Sequence, residues 1–64
     1  MIVNGVVHET ASPTSVPQVL TDMGIATRGV AVAINGEIVR RSQWDITLVQ
    51  PSDVVEIVTA VAGG

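Results

Sequence analysis

Two Asn-Gly dipeptides, Asn4-Gly5 and Asn35-Gly36, each lie between runs rich in valine and isoleucine. Both residue types tolerate the positive φ angles that the two central positions of a type I′ turn require, and this turn joins antiparallel strands. The sequence therefore predicts two β-hairpins. The first pairs residues 1–3 with residues 6–10, and the second pairs residues 29–35 with residues 37–39.

The apolar residues of this 64-residue chain are mostly branched at Cβ, with 13 Val and 6 Ile against 2 Leu. Such side chains favour strands over helices, so the composition predicts mainly sheet. Cysteine is absent, which excludes disulfides, and a single histidine does not make a zinc site. We therefore expect one small domain, residues 1–59, that depends on apolar packing and holds no metal.

One segment has helical periodicity. Its apolar residues recur at positions i, i+3, i+4 and i+7, namely Val16, Val19, Leu20 and Met23. Ser15 and Gln18 form a capping-box pattern at its start, and Pro17 is suited to the first turn. Gly24 is placed to end the helix in the left-handed conformation. The sequence therefore predicts a single helix between the two hairpins.

After the second hairpin, residues 40–45 are polar, and we expect an irregular turn with Trp44 pointing inward. A short strand over 46–49, a turn over 50–53 and a last strand over 54–59 complete the pattern. This order predicts a two-layer α+β domain. A mixed sheet of four to five strands wrapped around one helix resembles the β-grasp fold of ubiquitin-like domains.

Composition and motifs argue against catalysis by this chain. His8 is the only histidine and lies on a predicted strand, no glycine-rich phosphate loop is present, and the carboxylates are dispersed. The net charge of −3 and the pI near 4.6 disfavour nucleic-acid binding. No apolar run is long enough to cross a membrane. We expect a non-catalytic cytoplasmic protein that is monomeric when free.

The sequence ends in Gly63-Gly64, and we expect residues 60–64 to form a flexible tail. Glycine has no Cβ, so such a tail can lie in a narrow channel of a second protein and present its terminal carboxylate. A carboxylate is a poor acyl donor until a partner enzyme adenylates it with ATP. A sulfur nucleophile would then give a C-terminal thiocarboxylate, whereas a thiol followed by an amine would give an isopeptide.

The stretches AVAINGEIVRRSQW and VVEIVTAVAGG resemble the sulfur-carrier protein of thiamine biosynthesis. The resemblance implies that an E1-like adenylyltransferase activates the carboxylate of Gly64, with Gly63 and Gly64 threaded into its active site. Sulfur from a cysteine desulfurase would give the thiocarboxylate, which would serve thiazole synthase. The chain itself would bind no cofactor, because the partner uses the ATP.

Two alternatives remain open at this point. The small subunit of molybdopterin synthase, also a thiocarboxylate donor, shares the fold and the ending. A β-grasp binding or regulatory module with an incidental Gly-Gly is the second. The absence of Cys excludes a persulfide on the chain, and the absence of Lys excludes chains built on itself as a polymerising modifier builds them. Both absences favour the carrier interpretation.

Overall fold

In a computed structural model of the chain, the described part, residues 1–10 and 12–59, contains seven short strands, one α-helix and one 3-10 helix. The strands are β1 (Ile2–Val3), β2 (Val6–Val7), β3 (Thr14–Ser15), β4 (Val30–Ile34), β5 (Glu37–Val39), β6 (Leu48–Val49) and β7 (Val54–Thr59). The helices are α1 (Val16–Asp22) and the 3-10 helix (Arg41–Ile46). Residues 60–64, the predicted tail, lie outside the described residues.

Five of the strands form one mixed sheet in the order β2-β1-β7-β4-β5. The central pair of β1 and β7 is parallel, and the other three pairs are antiparallel. Strands β3 and β6 form a separate two-stranded ladder. The predicted α+β class and the mixed sheet around one helix are confirmed.

Both Asn-Gly dipeptides form the predicted type I′ turns. The φ angles are 50° and 82° at Asn4 and Gly5, and 51° and 85° at Asn35 and Gly36. These turns set the register of both hairpins, so that Val3 faces Val6 in the first and Ile34 faces Glu37 in the second.

The predicted second strand was too long, since β2 covers only Val6–Val7 instead of residues 6–10. Met1 and His8 exchange two backbone hydrogen bonds of 2.8 Å, which places them opposite each other just beyond the strands. Within the described part of the chain, residues 9 and 10 pair with no strand. The side chain of Thr10 instead donates to the carbonyl of Ser12 as the chain turns towards α1.

Helix α1 begins as predicted but with half of the expected capping box. The Ser15 hydroxyl accepts a hydrogen bond from the Gln18 backbone N–H at 3.4 Å. The Gln18 side chain does not return to Ser15; it donates to the Asp22 carboxylate one turn further on, at 2.8 Å. That reciprocal bond was therefore wrongly predicted, because an i, i+4 partner competes for the same amide.

The end of α1 follows the prediction closely. Gly24 has a φ of 71° and donates its N–H to the carbonyl of Thr21, while Ile25 donates to the carbonyl of Leu20. These two bonds make a Schellman motif, which satisfies carbonyls that the helix leaves without partners. Ile25 also packs against the core, so the motif turns the chain back over the helix.

The core lies between α1, the inner face of the sheet and the 3-10 helix. Its buried members are Val3, Val16, Val19, Leu20, Val32, Trp44, Val49 and Val55. Three of the four residues of the predicted helical stripe are buried here, and Met23 packs at the margin. The inward position predicted for Trp44 is confirmed.

The segment between the second hairpin and the last strand is more regular than predicted. Residues 41–46 form the 3-10 helix, which Thr47 ends by donating its hydroxyl to the Gln43 carbonyl. The strand predicted over residues 46–49 is therefore reduced to β6, which pairs with β3. Strand β4 begins at Val30 instead of Gly29, whose φ is 71°. Within residues 1–10 and 12–59, no helix is long and apolar enough to span a membrane.

Candidate functional site

The face of the sheet that points away from α1 is almost entirely apolar. Because side chains alternate between faces along a strand, burial of Val3, Val32 and Val55 places their neighbours on the opposite face. We call this surface the outer face, and it comprises Ile2, Val7, Ala31, Ala33, Ile38, Val54, Glu56 and Val58.

Several side chains of the outer face are largely exposed, including Ile38 at 76%, Val7 at 70% and Val58 at 62%. On β4, Ala31 and Ala33 leave a shallow groove of about 150 Å³ between Ile38 of β5 and Val58 of β7. Contiguous exposed apolar surface of this kind marks sites of protein–protein contact. Glu56 is the only charged residue of the outer face. A protein surface complementary to the outer face should therefore be apolar, with a basic group near Glu56.

Strand β7 crosses this surface and leads directly towards the predicted functional tail. Its pairing with β4 extends to its last residue, where Thr59 faces Val30. Gly63 and Gly64, the predicted threading and carrier residues, lie outside the described residues. Gly64 is the fifth residue after Thr59, and five extended residues span at most about 18 Å. The chain therefore reaches no further than this from the end of β7 to Gly64.

Both turn asparagines also bind β7 through their side chains. The Asn4 amide accepts from the Ile57 N–H at 2.7 Å and donates to the Ile57 carbonyl at 3.1 Å. The Asn35 amide accepts from the Val54 N–H at 2.9 Å and donates to the Asp53 carboxylate at 3.1 Å. Sequence reasoning explained these residues by their turns alone. The available signal was the choice of Asn over Asp, since only the amide supplies both a donor and an acceptor.

The remaining candidates for chemistry have structural explanations. Trp44 is buried, and the Arg41 guanidinium lies over its ring at 4.6 Å from the centroid. His8 is exposed. Among residues 1–10 and 12–59, no group of three His, Asp or Glu side chains is arranged to hold a metal ion. The described residues thus present an exposed apolar surface and a last strand that is held by hydrogen bonds from both turn asparagines.

The mixed sheet around α1, the apolar outer face and the central last strand define a ubiquitin-like β-grasp domain. Within this class, the chain belongs to the ThiS family, whose model matches residues 1–64.

Two solved structures are similar to this chain over nearly its whole length. The crystal structure of a thiamine biosynthesis protein (ThiS) from Geobacter metallireducens is 32% identical and superposes with a TM-score of 0.81, covering 98% of this chain and 96% of that one. An NMR structure of a thiamine biosynthesis protein from the same organism, also 32% identical, gives a TM-score of 0.75 over 98% and 85% of the two chains. Among curated proteins, none matches the chain in sequence.

Proposed function

We propose that this protein is the sulfur carrier of thiamine biosynthesis and that its working atom is the carboxyl carbon of Gly64. Membership of the ThiS family supports the sulfur-carrier role and a place in the thiamine pathway. The observation that supports the finer proposal is the position of β7, which runs through the exposed apolar outer face and ends at Thr59, five positions before Gly64 in the sequence.

The proposed reaction has two steps, both performed by partner enzymes. In the first, the carboxylate of Gly64 attacks the α-phosphate of ATP, forming an acyl adenylate and releasing pyrophosphate. In the second, the terminal sulfur of a persulfide on the donor protein attacks the carboxyl carbon and displaces AMP, which gives an acyl disulfide. A thiol then attacks the donor's cysteine sulfur, so that a disulfide forms and the C-terminal thiocarboxylate leaves. The carrier holds no cofactor in this scheme, because the E1-like adenylyltransferase binds the ATP.

The carrier contributes binding and placement to this chemistry. The outer face supplies apolar area for association with the adenylyltransferase, and afterwards with thiazole synthase, while the tail reaches the reacting groups. Gly63 and Gly64 have no side chains, so they can enter a channel too narrow for other residues. Because the same surface would serve successive partners, the free carrier would be a monomer that binds one enzyme at a time.

The proposal is tested by incubating the protein with ATP, an E1-like adenylyltransferase, a cysteine desulfurase with cysteine and a thiol reductant, followed by intact-mass measurement. We expect replacement of one oxygen by sulfur, localised to Gly64 by fragmentation. Omission of ATP is the matched control and should leave the mass unchanged. An unchanged mass with enzymes that modify another ThiS-family carrier would overturn the proposal.

A second measurement separates the thiamine pathway from the molybdopterin alternative. The thiocarboxylated protein is offered to thiazole synthase and to the large subunit of molybdopterin synthase in parallel. We expect the sulfur to be consumed only in the thiazole synthase reaction. Consumption by molybdopterin synthase alone would place the carrier in the other pathway.

A further inference from the structure

The side chain of Asn4 takes the place of a strand residue beside β7. In the parallel ladder, Ile2 donates its N–H to the Asp53 carbonyl at 3.0 Å, and Asn4 donates its N–H to the Val55 carbonyl at 2.9 Å. The next groups along this side of β7 are the N–H and C=O of Ile57, because alternate residues of a strand point the same way. At this point the Asn4-Gly5 turn carries the β1 backbone away from β7.

The Asn4 amide supplies the hydrogen-bond acceptor and donor that the β1 backbone would have supplied if it had continued beside β7. Its oxygen accepts from the Ile57 N–H, and its nitrogen donates to the Ile57 carbonyl. The pairing on this side of β7 is thereby extended by one step, from Val55 to Ile57. On the other side, β4 pairs with β7 as far as Thr59. Strand β7 is therefore paired on both of its edges at Ile57, which is only seven positions before Gly64.

We propose that Asn4 is a positioning residue for the sulfur-transfer reaction, because its amide pairs with β7 at Ile57 and, together with β4, keeps the end of β7 in the sheet and so limits the length of chain between the sheet and Gly64. This inference rests on the proposed carrier function. Without the amide, the last residues of β7 are held by β4 alone. The last residue that stays paired in the sheet then shifts from Thr59 towards Val55. A longer connecting segment lowers the effective concentration of the terminus at the adenylation site.

The expected kinetic effect is a change in turnover more than in binding. The outer face would still bind the adenylyltransferase, so the KM for the carrier should stay within about twofold. The terminus would be less often in position to react, and misplacement of a reacting group lowers the rate of the chemical step. We expect the kcat of acyl-adenylate formation to fall roughly three- to tenfold.

The turn chemistry offers a matched pair of variants, Asn4→Gly and Asn35→Gly. Glycine accepts the positive φ of about 50° at either position, so both turns are retained. Each variant also loses two side-chain hydrogen bonds to the β7 region. Asn35→Gly loses bonds to Val54 and Asp53 at the start of β7, whereas Asn4→Gly loses bonds to Ile57 near its end. A purely structural role predicts similar effects for the two.

The experiment combines amide hydrogen exchange on the free proteins with pyrophosphate release by the E1-like adenylyltransferase and ATP. We expect the Ile57 amide to exchange at least roughly tenfold faster in Asn4→Gly than in Asn35→Gly, with the Leu20 amide equally protected in both. We also expect a lower kcat in Asn4→Gly alone.

Equal exchange at Ile57, or equal kcat values for the two variants, would overturn the positioning role while leaving the carrier function intact. Absence of pyrophosphate release with the unaltered protein would instead refute the carrier function, and the positioning role with it.

Discussion

The indole N–H of Trp44 donates a 3.0 Å hydrogen bond to the backbone carbonyl of Val39, and this bond ties the 3-10 helix to the end of β5. Trp44 is only 3% exposed and is the one aromatic residue of the chain. Its ring belongs to the buried core together with Val16, Leu20 and Val49. The stability of this small domain should therefore depend strongly on one side chain.

Replacing Trp44 by Phe should lower the free energy of unfolding by about 1–3 kcal/mol, because the Val39 carbonyl loses its donor and the smaller ring leaves space in the core. Urea unfolding followed by circular dichroism measures the change. The control is Arg41→Ala, which removes the exposed cation over the ring and should cost less than about 1 kcal/mol. Equal losses for the two variants would contradict the assigned role of the indole.

The Schellman motif at the end of α1 predicts a backbone effect at Gly24. Alanine there should destabilise the protein by about 1–2 kcal/mol, because a residue with Cβ is strained at the observed φ of 71°. An added Cβ would meet no atom within 4 Å, so steric contact does not contribute. Gly24→Asn is the control and should be less destabilising, since Asn tolerates this conformation better. Urea midpoints that rank Asn below Ala would refute this explanation.

The outer face predicts that Ile38→Asp impairs association with the adenylyltransferase. A carboxylate within an apolar contact loses its hydration without gaining a partner, so the KM for the carrier should rise at least roughly tenfold. Ile46→Asp is a matched control, because Ile46 is 74% exposed against 76% for Ile38 but belongs to the 3-10 helix. Steady-state adenylation with both variants gives the comparison. A similar rise in KM for Ile46→Asp would mean that the outer face is not the contact surface.

The proposed carrier atom predicts a strict requirement for the position of the terminus. Deletion of Gly64, or addition of one alanine after it, should abolish thiocarboxylate formation because the carboxylate no longer reaches the adenylating site in register. Neither change should alter the urea midpoint, since Gly64 has no side chain to pack and a change at the last residue of a chain affects stability little. Intact mass after incubation with ATP and the partner enzymes is the measurement. Retained modification of the extended protein would favour a module in which the Gly-Gly is incidental.

Local features of the fold were predictable from sequence because their causes lie within a few residues. Asn-Gly at two central turn positions, Ser15 before the helix and Gly24 after it all act through their own backbone angles or through neighbours four residues away or fewer. Features that depend on residues far away in the sequence were predicted wrongly or missed. The length of β2 depends on which residues of β1 remain opposite it, and the strand β3 exists only because β6 lies beside it.

The candidate site was predictable only in its chemistry. The Gly-Gly ending and the family-like stretches indicated a carrier whose reacting group is a terminus, without any structure. The outer face could not be predicted from the sequence. Ile38 is exposed and Ile34 on the neighbouring strand is half-buried, yet both are isoleucines in β-rich segments. Pairing across β5, β4 and β7 decides which β-branched residues remain in water.

By itself, the sequence determined the two hairpin turns, the ends of the helix and the strand-rich composition, since each follows from the conformational preferences of individual residues. The tertiary structure alone decided that β7 lies between β1 and β4, and that the amides of Asn4 and Asn35 bind β7 at Ile57 and Val54. These hydrogen bonds join residues that are 19 positions apart for Asn35 and 53 positions apart for Asn4. They depend on how the whole sheet closes around its core, and no local preference specifies that closure.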